Sequence, residues 1–575
     1  MTSIARAINA YSQAIVRPVA EAPRFFFAVM LLACLPAVSY SITDKSRILH
    51  FIVASGCEGA LIGYCCCWIV SMINGRGLRK MIIIVGLGLS CGWAIVEVGS
   101  LTTTGMLISE DSFALVAETD AGEAAGFFAQ YFTLNSLVTI LCVAAITVAA
   151  AFAAAFLFQL LCRHRLGTSL AALVLGIIVF IGAFCSVRML RGAFISDYGD
   201  YLEWIGSGSE NPDLIRDNEL CFSAPFVKIP CLMNGYDMVN RNYDRWLDIQ
   251  YDALDFHVTR GDSAQYNIVV VVGESFIRTH SSLYGYYLPT NPGLTAERDS
   301  GRLVVYDSVM TTANFTTPSL RNLFNLNDLS KGEEWYESVY LPLVMKKAGY
   351  SVYHYDNQTI GLNADRGISR MFYSPLIKDC VYDATSDSLF DYDGDFLNYV
   401  HSTFVPKEAD SPKLVIYHLK GQHFPASARY EGIPHFSAAD ITVQQPWLND
   451  ERRAEIAEYD NATIYNDSIV SAIAARFMET PTVMFYFSDH GEDCWDLAPM
   501  EARNKQMPDD PQWVDRQFHI PFFIWLSPEF ISRYPLLTQR LLNAADKPFS
   551  LDNLGQMILE MCDIDFSPSP CEEKN

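Results

Sequence analysis

The chain has 575 residues, of which 50% are apolar, and a formal net charge of −24 at neutral pH. This length is too great for one ordinary domain. Residues 1–187 carry 10 basic and 9 acidic residues, whereas the rest of the chain carries 31 and 56. A nearly neutral, apolar first part is therefore joined to a strongly acidic second part, and such acidity argues against nucleic acid as a partner.

The first 187 residues contain five long apolar stretches. Each can form a helix that crosses a bilayer, which takes about 20 residues. Buried helices of a soluble protein are the alternative, but five such stretches in succession with few charges favour a transmembrane domain. The stretches cover roughly 25–43, 49–73, 81–100, 132–162 and 169–187.

The charges between these stretches predict the orientation of the chain. Basic residues precede span one and follow spans two and four, whereas the loop after span three is acidic. Because Lys and Arg are enriched in cytoplasmic loops, we expect a cytoplasmic amino terminus and an exported chain after about residue 190. In a Gram-negative cell this corresponds to a multi-pass inner-membrane protein with a periplasmic soluble domain. The basic residues are Arg6, Arg17, Arg24, Arg76, Arg79, Lys80, Arg163 and Arg165, and the acidic ones are Glu110, Asp111, Glu118, Asp120 and Glu123.

Two acidic residues, Glu58 and Glu97, fall within predicted spans. A carboxylate at membrane depth is costly and is often functional. The alternative is that each lies near an interface and is solvated. The sequence favours a functional role for Glu58 and leaves both interpretations open for Glu97.

The exported part contains six cysteines, and an even number in an oxidising compartment predicts up to three disulfides. Cys221–Cys231 and Cys562–Cys571 are plausible local pairs, which leaves Cys380 and Cys494 for a third. Many pairings are compatible with six cysteines, so the connectivity stays open.

Composition divides the chain into a transmembrane domain of five helices at 1–187, an amphipathic connector at 188–262 and a soluble domain at 263–575. The connector mixes aromatic, apolar and charged residues, as in Met238–Phe256, which predicts short amphipathic helices. Trp204 is a candidate for the membrane surface. Packing of the connector on the soluble domain is the alternative.

From residue 266 onward, strand patterns alternate with helical patterns. This alternation predicts an α/β/α domain in which helices cover a mainly parallel sheet. The candidate strands are 267–272, 303–306, 351–355, 413–418, 483–487 and 520–525, and the candidate helices are 318–328, 337–348, 386–402 and 450–475.

Two of these strands are followed by residues of the types that commonly bind metals. Ile268–Val272 is an unbroken β-branched run, typical of a strand buried on both faces, and it is followed by Glu274. The strand 483–487 is followed in the same way by Asp489 and His490. Ligands bind at the carboxyl ends of strands in open α/β sheets, and zinc accepts these side chains. A helix cap and a loop hydrogen bond are the alternatives, but two such strand ends favour a metal site.

An ordered set of short motifs covers about residues 265–530. The motifs are Val272–Ser275, Leu283–Tyr286, Thr290–Pro292, Lys347–Tyr350, Asp356–Gln358, His418–His423, Tyr459–Asn461, Ser488–Glu492 and Ile520–Trp525. In this order the set resembles the phosphoethanolamine transferase family of the alkaline phosphatase/sulfatase superfamily. The resemblance implies an alkaline phosphatase/sulfatase-like fold and zinc (Zn²⁺) as the cofactor.

The resemblance also implies a nucleophile two residues before a proline at a helix start, which selects Thr316 ahead of Pro318. Thr312 and Thr317 are the rivals, and a simple helix cap is the alternative. A hydroxyl at this position lies near the positive end of the helix dipole, which favours an anion.

Thr316 would complete a zinc site with Glu274, Asp489 and His490. Sulfatases need a Cys or Ser at the nucleophile position, followed by Pro-x-Arg. Thr316 and Leu320 therefore argue against hydrolysis of sulfate esters.

Three histidines are candidates for substrate binding. The resemblance favours His423, the second histidine of its motif, whereas His418 is a substrate contact or a core histidine. His519 lies where some members of the family carry a histidine or a basic residue. Members that act on lipid A carry a further histidine at the position of Ala502, so the number of metals stays open. His280 and His354 are expected to be structural.

The implied function is transfer of phosphoethanolamine from phosphatidylethanolamine to lipid A, lipopolysaccharide core or another envelope glycan. A covalent intermediate would form on Thr316 of a monomeric enzyme. One alternative is a glycerol-phosphate transferase that uses phosphatidylglycerol. Another is a non-catalytic membrane sensor on the same fold, against which the intact set of site residues argues.

Overall fold

The structure is a computed structural model. It divides into two compact units, Met1–Val239 and Asn240–Asn575. The predicted boundaries at 187 and 262 stay predictions. The structure describes residues 3–40, 48–104, 107–108, 134–194, 225–261, 264–358, 367–386, 388–403, 411–496, 501–502 and 511–567.

The described part of the membrane region contains six helices. They are α1 (Ser3–Glu21), α2 (Pro23–Tyr40), α3 (Ile48–Met72), α4 (Arg76–Thr104), α5 (Leu134–Leu161) and α6 (Arg165–Phe194). The last four are each long and apolar enough to cross a membrane, and α1 and α2 meet the same criterion as a pair bent by 79°. These residues therefore provide four spans, or five with the bent pair, in agreement with the sequence.

Both acidic residues of the predicted spans are buried, with exposed fractions of 2% for Glu58 and 1% for Glu97. Oε1 of Glu97 lies 2.5 Å from Nζ of Lys228, which is also buried. Oε2 of Glu97 accepts a hydrogen bond from the backbone N–H of Ile108 at 3.2 Å. Glu97 is therefore buried against protein groups. The structure does not support the alternative that Glu97 is solvated near an interface.

One long helix, α7 (Pro225–Ala253), occupies most of the described part of the connector, where several short helices were expected. In its second half Tyr243 and Trp246 are fully buried, and Nε1 of Trp246 donates a hydrogen bond to Oδ1 of Asn325 at 2.7 Å. This half therefore packs as part of the second unit, which was the alternative interpretation. Trp204 lies outside the described residues.

The second unit is built on a seven-stranded sheet with the order β3-β11-β8-β2-β7-β5-β6. Parallel pairing joins β8, β2, β7, β5 and β6, whereas β11 runs antiparallel to both β8 and β3. The sheet is therefore mixed but mainly parallel, and all six candidate strands are present. The strands of this unit are β1 (His257–Arg260), β2 (Asn267–Gly273), β3 (Leu303–Tyr306), β4 (Val309–Met310), β5 (Ser351–Asp356), β6 (Ala384–Thr385), β7 (Lys413–His418), β8 (Thr482–Ser488), β9 (Asp493–Cys494), β10 (Glu501–Ala502), β11 (Phe522–Leu526), β12 (Phe549–Ser550) and β13 (Ile564–Ser567).

Strand β2 lies at the centre of this sheet, and all seven of its residues are buried. Val269 and Val271 belong to the main apolar core together with residues of two long helices. Burial on both faces explains the β-branched run in the sequence. The helices of the second unit are α8 (Pro292–Asp299), α9 (Thr316–Phe324), α10 (Leu341–Lys347), α11 (Gly367–Tyr373), α12 (Pro375–Cys380), α13 (Asp393–Thr403), α14 (Asp450–Arg476), α15 (Pro511–Phe518), α16 (Pro528–Arg533), α17 (Pro535–Leu542) and α18 (Leu554–Met561).

No disulfide joins two of the cysteines that the structure describes. The predicted pairing of Cys380 with Cys494 is wrong, because Cys380 is exposed at the end of α12 whereas Cys494 is buried in β9. Cys231 and Cys562 are both buried, and their predicted partners, Cys221 and Cys571, lie outside the described residues, so these two pairings stay predictions.

Candidate active site

The candidate metal ligands lie at the ends of two hydrogen-bonded strands. β2 and β8 pair in parallel with Gly273 opposite Ser488, so the next residues, Glu274 and Asp489, leave the sheet side by side. The backbone N–H of Asp489 donates to the carbonyl oxygen of Gly273 at 3.1 Å. Oδ1 of Asp489 accepts a hydrogen bond from the backbone N–H of Ser275 at 3.2 Å. The register of one strand pair thus positions both carboxylates.

Glu274, Asp489 and His490 form a cluster of three metal-ligand side chains. One ligand atom of each lies within 4.8 Å of the others, and no other such group of three occurs among the residues that the structure describes. Nε2 of His490 lies 3.1 Å from Oε1 of Glu274 and 3.1 Å from Oδ2 of Asp489. Nδ1 of His490 lies 3.1 Å from the carbonyl oxygen of Gly491. That contact favours a proton on Nδ1, so Nε2 is unprotonated, as a metal ligand must be.

Burial and charge make this cluster suitable for a cation. All three side chains are fully buried. Burial, together with the adjacent carboxylate of Glu274, raises the pKa of Asp489, because two negative charges are held together away from water. With the proton of His490 on Nδ1, Oδ2 of Asp489 accepts no hydrogen bond from the described part of the chain, although Nε2 of His490 lies 3.1 Å away. Such an orphaned oxygen is costly, and two carboxylates with one imidazole form a donor set that suits zinc. These residues therefore fit the metal expected from the sequence.

Thr316 adds a hydroxyl to the same cluster. It is the first residue of α9 and follows Phe315, which is in an extended conformation. Oγ1 of Thr316 donates a hydrogen bond to Oε2 of Glu274 at 3.0 Å and lies 3.4 Å from Nε2 of His490. The amino-terminal end of a helix carries a positive potential, which favours an anionic oxygen or a phosphate at this point.

Neighbouring hydroxyls make other contacts. Oγ1 of Thr312, one of the rival nucleophiles, accepts a hydrogen bond from Nδ2 of Asn322 at 3.1 Å. Thr311 and Ser319 both donate to the carbonyl oxygen of Asp489 at 2.7 Å. The last two hydroxyls therefore hold the backbone of a candidate ligand, a role that the sequence did not indicate.

His418 lies at the end of β7 and is fully buried. Its Nδ1 is 3.0 Å from Oδ1 of Asp356. Burial lowers the pKa of His418, but Asp356 and the more distant Glu274 and Asp489 outweigh burial and raise that pKa. A buried imidazole beside these carboxylates agrees better with a core histidine than with a direct contact to substrate.

His423 lies in the loop after β7 and is half-buried, with Nδ1 2.9 Å from the carbonyl oxygen of Phe424. The same loop packs on the backbone of Glu274. The backbone N–H of Gln422 donates to the carbonyl oxygen of Glu274 at 3.0 Å. At Gly421, whose φ is +50°, a Cβ atom would lie 2.8 Å from the nitrogen of Glu274. The loop that carries His423 is therefore fitted closely against a candidate metal ligand.

His519 is held by groups outside the cluster. Its Nδ1 lies 3.0 Å from Oδ1 of Asp515, and its Nε2 lies 2.6 Å from the carbonyl oxygen of Asp307. Both ring nitrogens thus already have protein partners. A contact with substrate would require at least one of these partners to be exchanged.

The contacts of His280 and His354 are consistent with structural roles. Nδ1 of His280 is 2.8 Å from Oδ1 of Asp460, and its Nε2 is 3.4 Å from Oδ2 of Asp496. His354 is buried and stacks on the ring of Tyr382 with 5.2 Å between the ring centroids.

The part of the chain that matches a known protein family lies within the second unit. The model of the sulfatase family matches residues 266–564, which is just over half of the chain. The chain belongs to the sulfatase family.

Among curated proteins, this sulfatase-family chain is similar to enzymes named phosphoethanolamine transferases. It is 29% identical over 272 residues to phosphoethanolamine transferase EptC of Escherichia coli O18:K1:H7 (strain RS218 / NMEC), which covers 47% of this chain and 46% of that protein. It is 29% identical over 299 residues to phosphoethanolamine transferase CptA of Salmonella typhimurium, which covers 49% of each. The chain thus spans about half the length of the curated relatives that it matches.

A solved structure extends the likeness of this sulfatase-family chain to its membrane helices. The integral membrane protein lipooligosaccharide phosphoethanolamine transferase A (EptA) from Neisseria meningitidis superimposes with a TM-score of 0.60 over 96% of both chains. The sequence identity is 18%, so this likeness shows the fold. The fold class expected from the sequence, apolar helices followed by a sulfatase-like α/β domain, is confirmed.

Gln358, the last residue of the Asp356–Gln358 motif, is a residue of this sulfatase-family site for which no role was predicted. Its Nε2 donates to Oε2 of Glu274 at 3.2 Å and to the carbonyl oxygen of Leu419 at 2.7 Å. Its backbone N–H donates to Oδ1 of Asp356 at 2.8 Å. The available signals were this motif and its place after β5, because that strand ends at the same edge of the sheet as β2 and β8.

Proposed function

We propose that this chain is a zinc-dependent phosphoethanolamine transferase of the bacterial inner membrane, with the soluble unit in the periplasm. The observation that carries the proposal is the position of Thr316, whose Oγ1 lies 3.0 Å from Oε2 of Glu274 beside a buried three-residue metal-ligand cluster. Support comes from the names of the curated relatives. The position of Thr316 and the names of these relatives both support a covalent phosphotransferase.

The proposed chemistry begins with the site residues. Glu274, Asp489 and His490 would hold the zinc ion, which lowers the pKa of a nearby hydroxyl and offsets the negative charge of phosphoryl oxygens. Thr316 then attacks the phosphorus of phosphatidylethanolamine. A bond forms between Oγ1 and phosphorus while the bond from phosphorus to the diacylglycerol oxygen breaks.

Protons move in both halves of this exchange. The hydroxyl proton of Thr316 leaves along its hydrogen bond to Oε2 of Glu274, and His423 supplies a proton to the departing diacylglycerol oxygen. The product is a phosphoethanolamine ester of Thr316. A hydroxyl or phosphate of the acceptor then attacks phosphorus while the bond from phosphorus to Oγ1 of Thr316 breaks. Oγ1 takes back the proton held by Glu274, and an attacking hydroxyl passes its proton to His423, which completes ping-pong transfer.

The proposed acceptors are lipid A, lipopolysaccharide core and other envelope glycans. The donor is a membrane lipid, and the apolar helices anchor the chain in the bilayer that contains it. A monomer is sufficient, because the four site residues come from one chain.

Mass spectrometry of the trapped intermediate tests this proposal. Purified full-length chain in detergent is incubated with zinc and phosphatidylethanolamine in the absence of an acceptor. The expected result is release of diacylglycerol and a phosphoethanolamine group on the peptide that contains Thr316. Thr316→Ala should abolish both signals, whereas the matched variant Thr317→Ala should retain them.

The same assay separates the alternatives. A glycerol-phosphate group acquired from phosphatidylglycerol, with none from phosphatidylethanolamine, would indicate the glycerol-phosphate transferase. Absence of any adduct with either lipid, in protein that contains zinc, would indicate a non-catalytic sensor. Mass spectrometry of envelope glycolipids from cells with and without the protein then identifies the acceptor.

A further inference from the structure

Helix α1 exposes two faces of opposite chemistry. Its apolar face follows the helical spacing i, i+4, i+7 and i+11 and is solvent-accessible over its length. On the opposite side of the helix lie exposed polar residues, including Arg6, Gln13 and Arg17. The apolar residues are Ile4, Ile8, Tyr11 and Ile15, with exposed fractions of 70%, 54%, 73% and 38%. If water surrounded the whole helix, its apolar face would be exposed to water, and if lipid surrounded it, its polar face would be buried in hydrocarbon.

The helix is nevertheless fixed to the membrane unit along a third side. Val16 packs with Ala171 and Ala172 of α6. Oγ of Ser12 donates to Oγ of Ser169 at 3.3 Å, also on α6. The hydroxyl of Tyr64 donates to the carbonyl oxygen of Ile15 at 3.2 Å. The two exposed faces therefore belong to a helix with a defined position.

A groove runs between the apolar face of α1 and helix α6. Its cavity has a volume of about 530 Å³, in the range of about 300–1,000 Å³ that is typical of sites for small ligands. Residues on the α6 side of the groove, such as Leu173, Ile177 and Phe180, are part of the exposed apolar surface of that helix. Because α6 is long and apolar enough to span a bilayer, we expect this surface to face lipid tails. The groove is thus continuous with a lipid-facing surface.

We propose that α1 lies at the boundary between lipid and water, and that an acyl chain of a bilayer phospholipid occupies the groove between α1 and α6. The 79° bend between α1 and α2 separates the direction of α1 from that of a spanning helix. The apolar face then meets hydrocarbon, while Arg6 and Arg17 lie at the level of the head groups. This arrangement is that of an interfacial amphipathic helix. Basic residues near head groups are attracted by anionic lipids.

Photo-cross-linking in a bilayer tests the proposal independently of the transferase activity. The full chain is reconstituted in vesicles of phosphatidylethanolamine and phosphatidylglycerol, with benzoylphenylalanine in place of Tyr11 or, as a matched control on the opposite face, of Gln13. After irradiation we expect a phospholipid adduct at position 11 that exceeds the adduct at position 13 at least about tenfold. Equal adducts at the two positions, or none at position 11, would overturn the proposal. A cross-linked dimer formed through position 11 would do the same, because a second copy would then cover the face.

A second variant separates the groove from the general lipid surface. Gly176 lines the groove, and a Cβ atom there would meet no atom within 4 Å. Gly176→Phe should fill the space without disturbing the fold and reduce the lipid adduct at position 11 several-fold. Benzoylphenylalanine at Phe156, an exposed position of α5, should give the same adduct with and without Gly176→Phe. An unchanged adduct at position 11 in the Gly176→Phe protein would show that no acyl chain occupies the groove.

Discussion

Nε2 of Gln358 and the hydroxyl of Thr316 both donate hydrogen bonds to one oxygen, Oε2 of Glu274. The amide thus orients a candidate metal ligand without being a ligand itself, and loss of such a partner typically weakens metal binding about 10- to 100-fold. We expect that weakening for Gln358→Leu, measured by competition for zinc with a chromogenic chelator.

The control for this variant is Gln556→Leu. Gln556 is also half-buried, but its Nε2 donates to the carbonyl oxygen of Asn327 in another part of the unit. Its zinc affinity should equal that of the parent protein. Equal zinc affinities for Gln358→Leu and the parent would exclude the positioning role.

Replacement of Thr316 and replacement of His490 should have different effects on zinc binding. Thr316→Ala leaves three protein ligands, so we expect zinc to remain bound with lower affinity while transfer falls on the order of 10³-fold or more. His490→Ala removes a ligand, so zinc content and transfer should fall together. Elemental analysis of the purified variants, alongside a donor-lipid assay, measures both quantities. Normal transfer by Thr316→Ala would refute the covalent mechanism at this residue.

Gly421 should be more sensitive to substitution than another glycine with positive φ. Gly421→Ala combines backbone strain with a Cβ atom 2.8 Å from the nitrogen of Glu274. Gly332, with φ of +73° and no atom within 4 Å of a Cβ, carries the strain alone. Each alanine should cost roughly 1 kcal/mol or more of stability. Only Gly421→Ala should also lower zinc affinity, which thermal melts and zinc titrations of the two variants would show.

The stabilisation contributed by His280 should depend on pH. Burial lowers the pKa of His280, but Asp460 and Asp496 outweigh it and raise the pKa from 6.5 to about 9. A raised pKa in the folded state means that the stabilisation is complete below pH 6.5, declines above it and is lost beyond about pH 9. His280→Gln should therefore lower the melting temperature more at pH 6 than at pH 10. A constant difference across this range would contradict the assignment.

The arrangement of basic residues predicts the location of the carboxyl-terminal part. With an odd number of spans and a cytoplasmic amino terminus, the soluble unit is exported. A carboxyl-terminal fusion to alkaline phosphatase should then be active, and a reporter that functions only in the cytoplasm should be silent. The opposite pair of results would reverse the proposed orientation.

The strands and the ligand positions could be predicted because their signals are local. The β-branched run before Glu274 and the apolar run before Asp489 each report burial on both faces. The edge of the sheet then brings their ends together. Sequence patterns thus indicated the apolar helices, the α/β class and three members of the cluster, whereas the family resemblance added the sulfatase-like fold and Thr316.

The remaining features depend on contacts between distant segments. Gln358 meets Glu274 only after β5 and β2 are placed in one sheet with β7 between them. A disulfide between Cys380 and Cys494 was inferred from the number of cysteines, which says nothing about their separation in space. The contacts of His519 with Asp515 and Asp307 likewise depend on how α15 packs, which no spacing in the sequence shows.

The pairing of β2 with β8 also limits when a metal can bind during biogenesis. Glu274 and Asp489 lie more than 200 residues apart in the chain, and the segment between them contains most of the sheet. Contacts over such a distance form late, because the entropy of closing the intervening loop must be overcome first. Under the proposed function, a newly exported chain would offer zinc only the adjacent pair of Asp489 and His490, so the metal would complete the soluble unit rather than nucleate its folding.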